Sequence, residues 1–186
     1  LSYLGSTSVS MKTILKDCET GQILASREHV VVRVDLVNRT PVKIPDWFRQ
    51  AYGQYFALEK VRLWQLDEIP QKNEMHVHQK EITKAMIDYN EHTNYVFYIK
   101  MAIECIIDSL RQKHFKLTFV LDDFDRLPIS KLQLQFQNES RFGDLVEVGC
   151  WQDKSDRDIM YSVISCREKI CVKIKVEVHS LIGANL

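Results

Sequence analysis

Near the middle of the chain, Asp88-Tyr89-Asn90-Glu91-His92-Thr93-Asn94 sets two carboxylates, two carboxamides and an imidazole just before an apolar stretch with helical spacing. A helix start presents unpaired backbone N–H groups and the positive end of a dipole. A carbonyl oxygen placed there is polarised, and an oxyanion formed by attack on that carbonyl is stabilised. Asn90 and His92 are two residues apart, so extended backbone would point both the same way, with Asp88 orienting or charging the pair. A plainer reading competes. Asp, Asn and Thr are ordinary helix-capping residues, and part of the cluster is then only a helix start.

The element behind this cluster is the strongest helix in the sequence, expected over residues 93–113. Val96, Ile99, Ile103, Ile106 and Leu110 recur at spacings of three and four and share one face, with Ala102 and Ile107 widening it and Phe97 and Met101 off the stripe. Apolar residues off the stripe suit a helix wrapped by a sheet. Strands are expected on either side of it. Val9 to Lys16 alternates, Asp17-Cys18-Glu19-Thr20-Gly21 turns, and a return strand runs from Gln22 to Val37. Pro45 opens a short helix through Trp47, Phe48 and Tyr52. Residues 75–87 read as extended. Strands follow around Leu132–Phe136, Leu145–Trp151, Ile159–Cys166 and Ile170–His179, the last with Ile170, Val172, Ile174, Val176 and Val178 inward and Cys171 outward. The opening and closing hairpins share one design. The chain therefore reads as two copies of a β-α-β-β-β-β unit, the first without its front half.

The chain has 186 residues, 45% hydrophobic and 27% charged, and a formal net charge of zero. These are globular values, without the basic balance that nucleic acid or an anionic surface would favour. No apolar run approaches the roughly 20 residues that span a bilayer. Five cysteines with no C-x-x-C pair read as reduced, mostly buried thiols in a cytosol-like compartment, or an organelle if a leader precedes Leu1. Leu1 itself reads as a boundary within a longer protein. His76-x-His78 puts two imidazoles on one strand face, but with no third ligand evident no metal and no cofactor is expected. Asp122-Asp123-x-Asp125 reads as a solvated turn, lacking the glycine and distal glutamate of a calcium loop. The aromatics Trp47, Phe48, Tyr52, Tyr55, Phe56 and Trp64 are expected to pack over a sheet.

Asp88, Asn90, His92, Thr93, Asn94 and Tyr95, followed by Tyr98-Ile99, resemble the D-x-N-x-H-V-N-N motif and tyrosine-isoleucine pair of acyl-(acyl-carrier-protein) thioesterases. Leu134-Gln135-Phe136-Gln137-Asn138-Glu139-Ser140 is similar to that family's L-x-Y-x-x-E-C stretch and sets Glu139 on its catalytic glutamate. Lys16 to Gly21, Asn38-Arg39-Thr40 and Ile44-Pro45 resemble the end of its first domain. The chain departs from the pattern at Tyr95, where the family has asparagine, and at Ser140, where it has cysteine.

The resemblance implies an α+β hotdog fold, with a long central helix wrapped by antiparallel sheet. Residues 1–57 would be the end of a first hotdog domain, 58–73 a linker and 74–186 a complete second domain. About 80 further residues with a helix before Leu1 would restore a tandem pair of domains and strengthen the enzyme reading. It implies hydrolysis of fatty acyl thioesters of acyl carrier protein or coenzyme A, with Asp88, Asn90, His92 and Glu139 as site residues. Glu139 or Asp88 would be the general base, with His92 placing the water or protonating the leaving thiol, and a nucleophilic carboxylate stays open. Strict alternation sets Glu139 on the face away from Leu134 and Phe136, unless the strand ends or bulges at Asn138. The alternative is a non-catalytic hotdog module that binds acyl chains or scaffolds a complex, and a lone second domain would pair with the partial one or form a homodimer. A dehydratase is disfavoured by the position of the cluster at the helix start.

Overall fold

The computed structural model describes residues 3–35, 37–38, 40–56, 64–66, 68–119 and 127–179. The acidic run at 122–125 lies outside them, as do residues 58–63 and 67 of the expected linker. Contacts divide the chain into two compact units, Leu1–Leu63 and Trp64–Leu186.

The first unit is a three-stranded antiparallel sheet, β1 (Tyr3–Leu4), β2 (Ser8–Lys16) and β3 (Ile23–Val32), in the order β1-β2-β3. The β2–β3 turn forms as its residues dictate. The Asp17 carboxylate accepts the backbone N–H groups of Glu19 and Thr20, and Gly21 takes φ +72°, a conformation that favours glycine. β3 ends at Val32, five residues short of the expected end. Asp35 is the reason: its carboxylate accepts the N–H groups of Val37 and Asn38, and its own N–H donates to Thr40, so the chain turns back. This local side-chain turn outcompetes the sheet ladder. The short helix α1 (Asp46–Tyr52) has Pro45 as its cap rather than its first residue, and Arg49 ties it to the carbonyls of Gly5 and Ser6. The aromatics here meet one another edge-on or tilted. Phe48 meets Trp47, Tyr52 and Phe56, and Trp47 and Tyr55 stay exposed.

The second unit is a five-stranded antiparallel sheet around one helix. β4 (His76–Glu81), β5 (Ile129–Phe136), β6 (Leu145–Gln152), β7 (Ile159–Cys166) and β8 (Lys169–Val178) take the order β4-β6-β7-β8-β5, and α2 (Tyr95–Arg111) packs on β4, β6, β7 and β8. Its 17 residues make a rod about 25 Å long. The extended stretch expected to Ile87 stops at Glu81 and gives way to a helical turn at Lys84–Met86.

The helix buries a face rotated from the expected stripe. Tyr98, Met101, Ala102, Cys105, Ile106, Ser109 and Leu110 are buried, whereas Val96 is exposed and Ile99 and Ile103 are only half-buried. The small side chains decide this. Ala102, Cys105 and Ser109 let the backbone approach the sheet closely enough for the Cys105 thiol to reach the Val148 carbonyl at 3.5 Å and the Ser109 hydroxyl to reach Cys150 Sγ at 3.3 Å. On β8, Val172, Ile174, Val176 and Val178 are buried as expected, but Cys171 is buried too. The register shifts between Ile164 and Ser165, which leaves Cys171 as the extra residue of a bulge and turns it inward. Burial pushes its thiol up to about 11. All five cysteines are free, and only Cys18 is exposed. Among the described residues no helix is long and apolar enough to cross a membrane.

Candidate active site

The chain from β4 into α2 is fixed by a narrow loop. Ile87 and Thr93 form an isolated bridge, with Asp88 N–H donating to the His92 carbonyl at 3.0 Å and Asn94 N–H to the Met86 carbonyl at 2.9 Å. Between them the backbone turns. Asp88 Oδ1 accepts the Asn90 N–H at 2.8 Å, the Glu91 N–H reaches the Asp88 carbonyl, and Glu91 takes φ +63°. The stretch is therefore a tight turn, and the period-two reason for aligning Asn90 with His92 does not apply. The Asn90 carboxamide has no hydrogen-bond partner among the described residues. Asn94 caps α2, its side chain accepting the Val96 N–H at 3.0 Å.

The helix start differs from the expectation in a second way. The Thr93 N–H donates to the Ser140 carbonyl, Asn94 to Met86, Val96 to the Asn94 side chain and Phe97 to the Asn94 carbonyl. Those four amides are spent inside the protein.

Glu139 arrives from β5. The strand ends at Phe136, and the N–H groups of Gln137 and Asn138 converge on one acceptor, the Cys171 carbonyl, while the Asn138 side chain donates to the Ile170 carbonyl at 2.7 Å. That break in alternation frees the chain to turn at Asn138. The next residue, Ser140, is fully buried and anchors the turn. Its N–H donates to the Tyr98 hydroxyl at 2.9 Å, and because Thr93 Oγ1 spends its proton on the Ser140 carbonyl and Ser140 Oγ its own on Thr93, Tyr98 donates to Ser140 Oγ at 2.7 Å. Ser140 Oγ then donates to Thr93 Oγ1 at 2.9 Å, and Thr93 Oγ1 to the Ser140 carbonyl at 3.1 Å. Every hydroxyl in this buried chain both donates and accepts. Burial raises the Tyr98 phenol above its ordinary range, which keeps it protonated as a donor.

This clasp sets three of the four expected site residues side by side. His92 Nδ1 lies 3.6 Å from Asp88 Oδ2, and His92 Nε2 lies 3.8 Å from Glu139 Oε1. Both distances exceed hydrogen-bond reach. The side chains are graded in exposure: Asp88 18%, His92 23% and Glu139 44%. The imidazole thus stands between an inner and an outer carboxylate. Asn90 is on the same loop and half-buried.

No family model matches the chain, and no curated protein matches it. Solved structures do. The 12:0-ACP thioesterase of Umbellularia californica superposes with a TM-score of 0.74 at 17% identity, over 96% of this chain and 65% of its own. An acyl-ACP thioesterase from Bacteroides thetaiotaomicron superposes at 0.65 and 17%, with the same coverage. The fold is the hotdog fold of the acyl-ACP thioesterases. The chain spans about two-thirds of the length of these two proteins. Its second unit has a long helix and a five-stranded sheet, and its first has a three-stranded sheet with the short α1.

Three participants escaped sequence reasoning in the role they take. Thr93 and Tyr98 stood only as motif positions, and Ser140 as a departure from the pattern. A hydroxyl three residues inside a helix, facing a serine next to a motif glutamate, was the available signal. A second cluster lies away from this hotdog site and corrects the expectation of no third ligand beside His76 and His78. Asp108 of α2 supplies it, with Oδ2 at 3.1 Å from His76 Nε2 and 2.9 Å from His78 Nε2. An open groove of about 410 Å³ beside α2 is lined by His78, Lys80, Met101 and Glu104, and not by Asp88, His92 or Glu139.

Proposed function

We propose that this chain is part of an acyl thioesterase that hydrolyses fatty acyl thioesters of acyl carrier protein or coenzyme A to the free acid. The observation that carries the reading is His92 held between Asp88 and Glu139 on a hotdog frame. Glu139 is the general base because it is the more exposed of the two carboxylates, at 44% against 18% for Asp88. Water loses a proton to Glu139 as its oxygen bonds to the thioester carbon. The Asn90 carboxamide donates to the carbonyl oxygen as it becomes an oxyanion. Collapse breaks the carbon–sulfur bond, and the proton on Glu139 passes to the leaving thiolate. Asp88 orients His92, and His92 orients Glu139 and the water.

A second reading, a module that binds acyl chains without turnover, has one observation in its favour: four helix-start amides are already spent. Steady-state assays on acyl-ACP and acyl-CoA of short to long chain separate the two. The thioesterase reading expects turnover by the parent and a loss of roughly 10²–10⁴ in kcat for Glu139→Gln, the usual worth of a general base. Binding without hydrolysis at any chain length contradicts it.

A further inference from the structure

His76 and His78 lie two apart on the edge strand β4, so their rings share one face. Asp108, near the end of α2, faces them. Three ligand atoms converge there: His76 Nε2 and His78 Nε2 are 2.9 Å apart, and Asp108 Oδ2 is 3.1 Å from the first and 2.9 Å from the second. Protons cannot satisfy this triangle. Each neutral imidazole carries at most one N–H at Nε2, and an ionised carboxylate carries none. At most two of the three contacts can hold a hydrogen. One edge is always left as two lone pairs or two N–H groups facing each other.

A cation at the centre satisfies all three atoms at once. Tetrahedral zinc with bonds of about 2.0–2.1 Å holds its ligand atoms about 3.3 Å apart, so this triangle needs to open by only a few tenths of an ångström. Two imidazoles and a carboxylate are a donor set for a divalent transition ion, and too nitrogen-rich for calcium or magnesium. The outer partners are also in place. The Gln112 side chain donates to Asp108 Oδ2 at 2.6 Å, and its Oε1 accepts from the His114 ring, which packs 5.1 Å from that of His76. Such partners fix the orientation of ligands. Cys105 Sγ lies within 4.8 Å of both histidine ligand atoms, but its thiol is directed at Cys150 Sγ, 3.2 Å away.

We propose that His76, His78 and Asp108 form a zinc site, with the fourth position open to water. It is separate from the Asp88–His92–Glu139 cluster and does not depend on the thioesterase reading. The test is equilibrium dialysis of the chelator-stripped, tag-free chain against zinc chloride, with metal read by atomic emission. The expected result is one zinc per chain. Asp108→Asn and His78→Ala should each weaken binding beyond the roughly 10–100-fold typical of losing an outer partner. Cys105→Ser should keep the full equivalent. Asp108→Asn keeps shape at a part-exposed position, so a folded variant is available whatever the histidine variants do, and circular dichroism checks each. Zinc uptake by the parent no greater than that of a His76→Ala/His78→Ala variant overturns the site. Loss of zinc with Cys105→Ser but not with Asp108→Asn overturns the ligand set.

Discussion

The two units carry the same kind of antiparallel ladder, yet only one has a core. In the second, α2 lies on the sheet, and Ile106, Ile164, Ile174 and Val172 are fully buried. In the first, Ile44 is the one buried apolar residue among those described, while Leu15 and Leu24 are each 59% exposed. Strand alternation is therefore sufficient to build a ladder and insufficient to build an interior. A sheet face becomes a core when a helix covers it. The site follows the same division, since its loop is the entry to α2 and its clasp runs from Tyr98 on that helix to Ser140.

Predictions that break this comparison are ordered by size. Ile106→Ala, under the helix, should cost about 2–5 kcal/mol in urea unfolding, the range for a large-to-small change in a packed core. Ser140→Ala removes the hydroxyl that joins Tyr98 to Thr93. It should cost about 1–3 kcal/mol, the penalty for stranding buried polar groups, and should also lower kcat by loosening Glu139. Asn94→Ala uncaps α2 and should cost about 1 kcal/mol. Leu15→Ser, on the exposed face of the first sheet, should change the unfolding free energy by no more than about 0.5 kcal/mol. A Leu15→Ser cost as large as that of Ile106→Ala would mean that the first sheet is covered in solution and the contrast is wrong.

Much of the fold was legible because periodicity is local. β7 spans Ile159–Cys166 as expected, and β6 differs from expectation by a single residue. The helix was evident, but its buried face was not. Apolar spacing marked Val96, Ile99 and Ile103, and close packing chose the small residues Ala102, Cys105 and Ser109 instead, a tertiary preference invisible to a hydropathy pattern. The inward turn of Cys171 depends on a bulge against β7, which no property of β8 alone announces. At the site, residue chemistry and motif resemblance named Asp88, Asn90, His92 and Glu139. The positive φ at Glu91 and the convergence of two amides on the Cys171 carbonyl, which decide where those side chains point, are products of the folded chain. Asp108 escaped notice because its partners are about thirty residues away in sequence and meet it only when α2 lies on β4.

The central claim is that His92 and Glu139 work as one unit. The most direct test is a double-mutant cycle on thioester hydrolysis, with parent, His92→Ala, Glu139→Gln and the double variant assayed on one acyl thioester. Residues that act together give losses that do not add. The account predicts a double variant about as slow as the slower single one. Single losses that multiply in the double variant, or singles that match the parent, would contradict it.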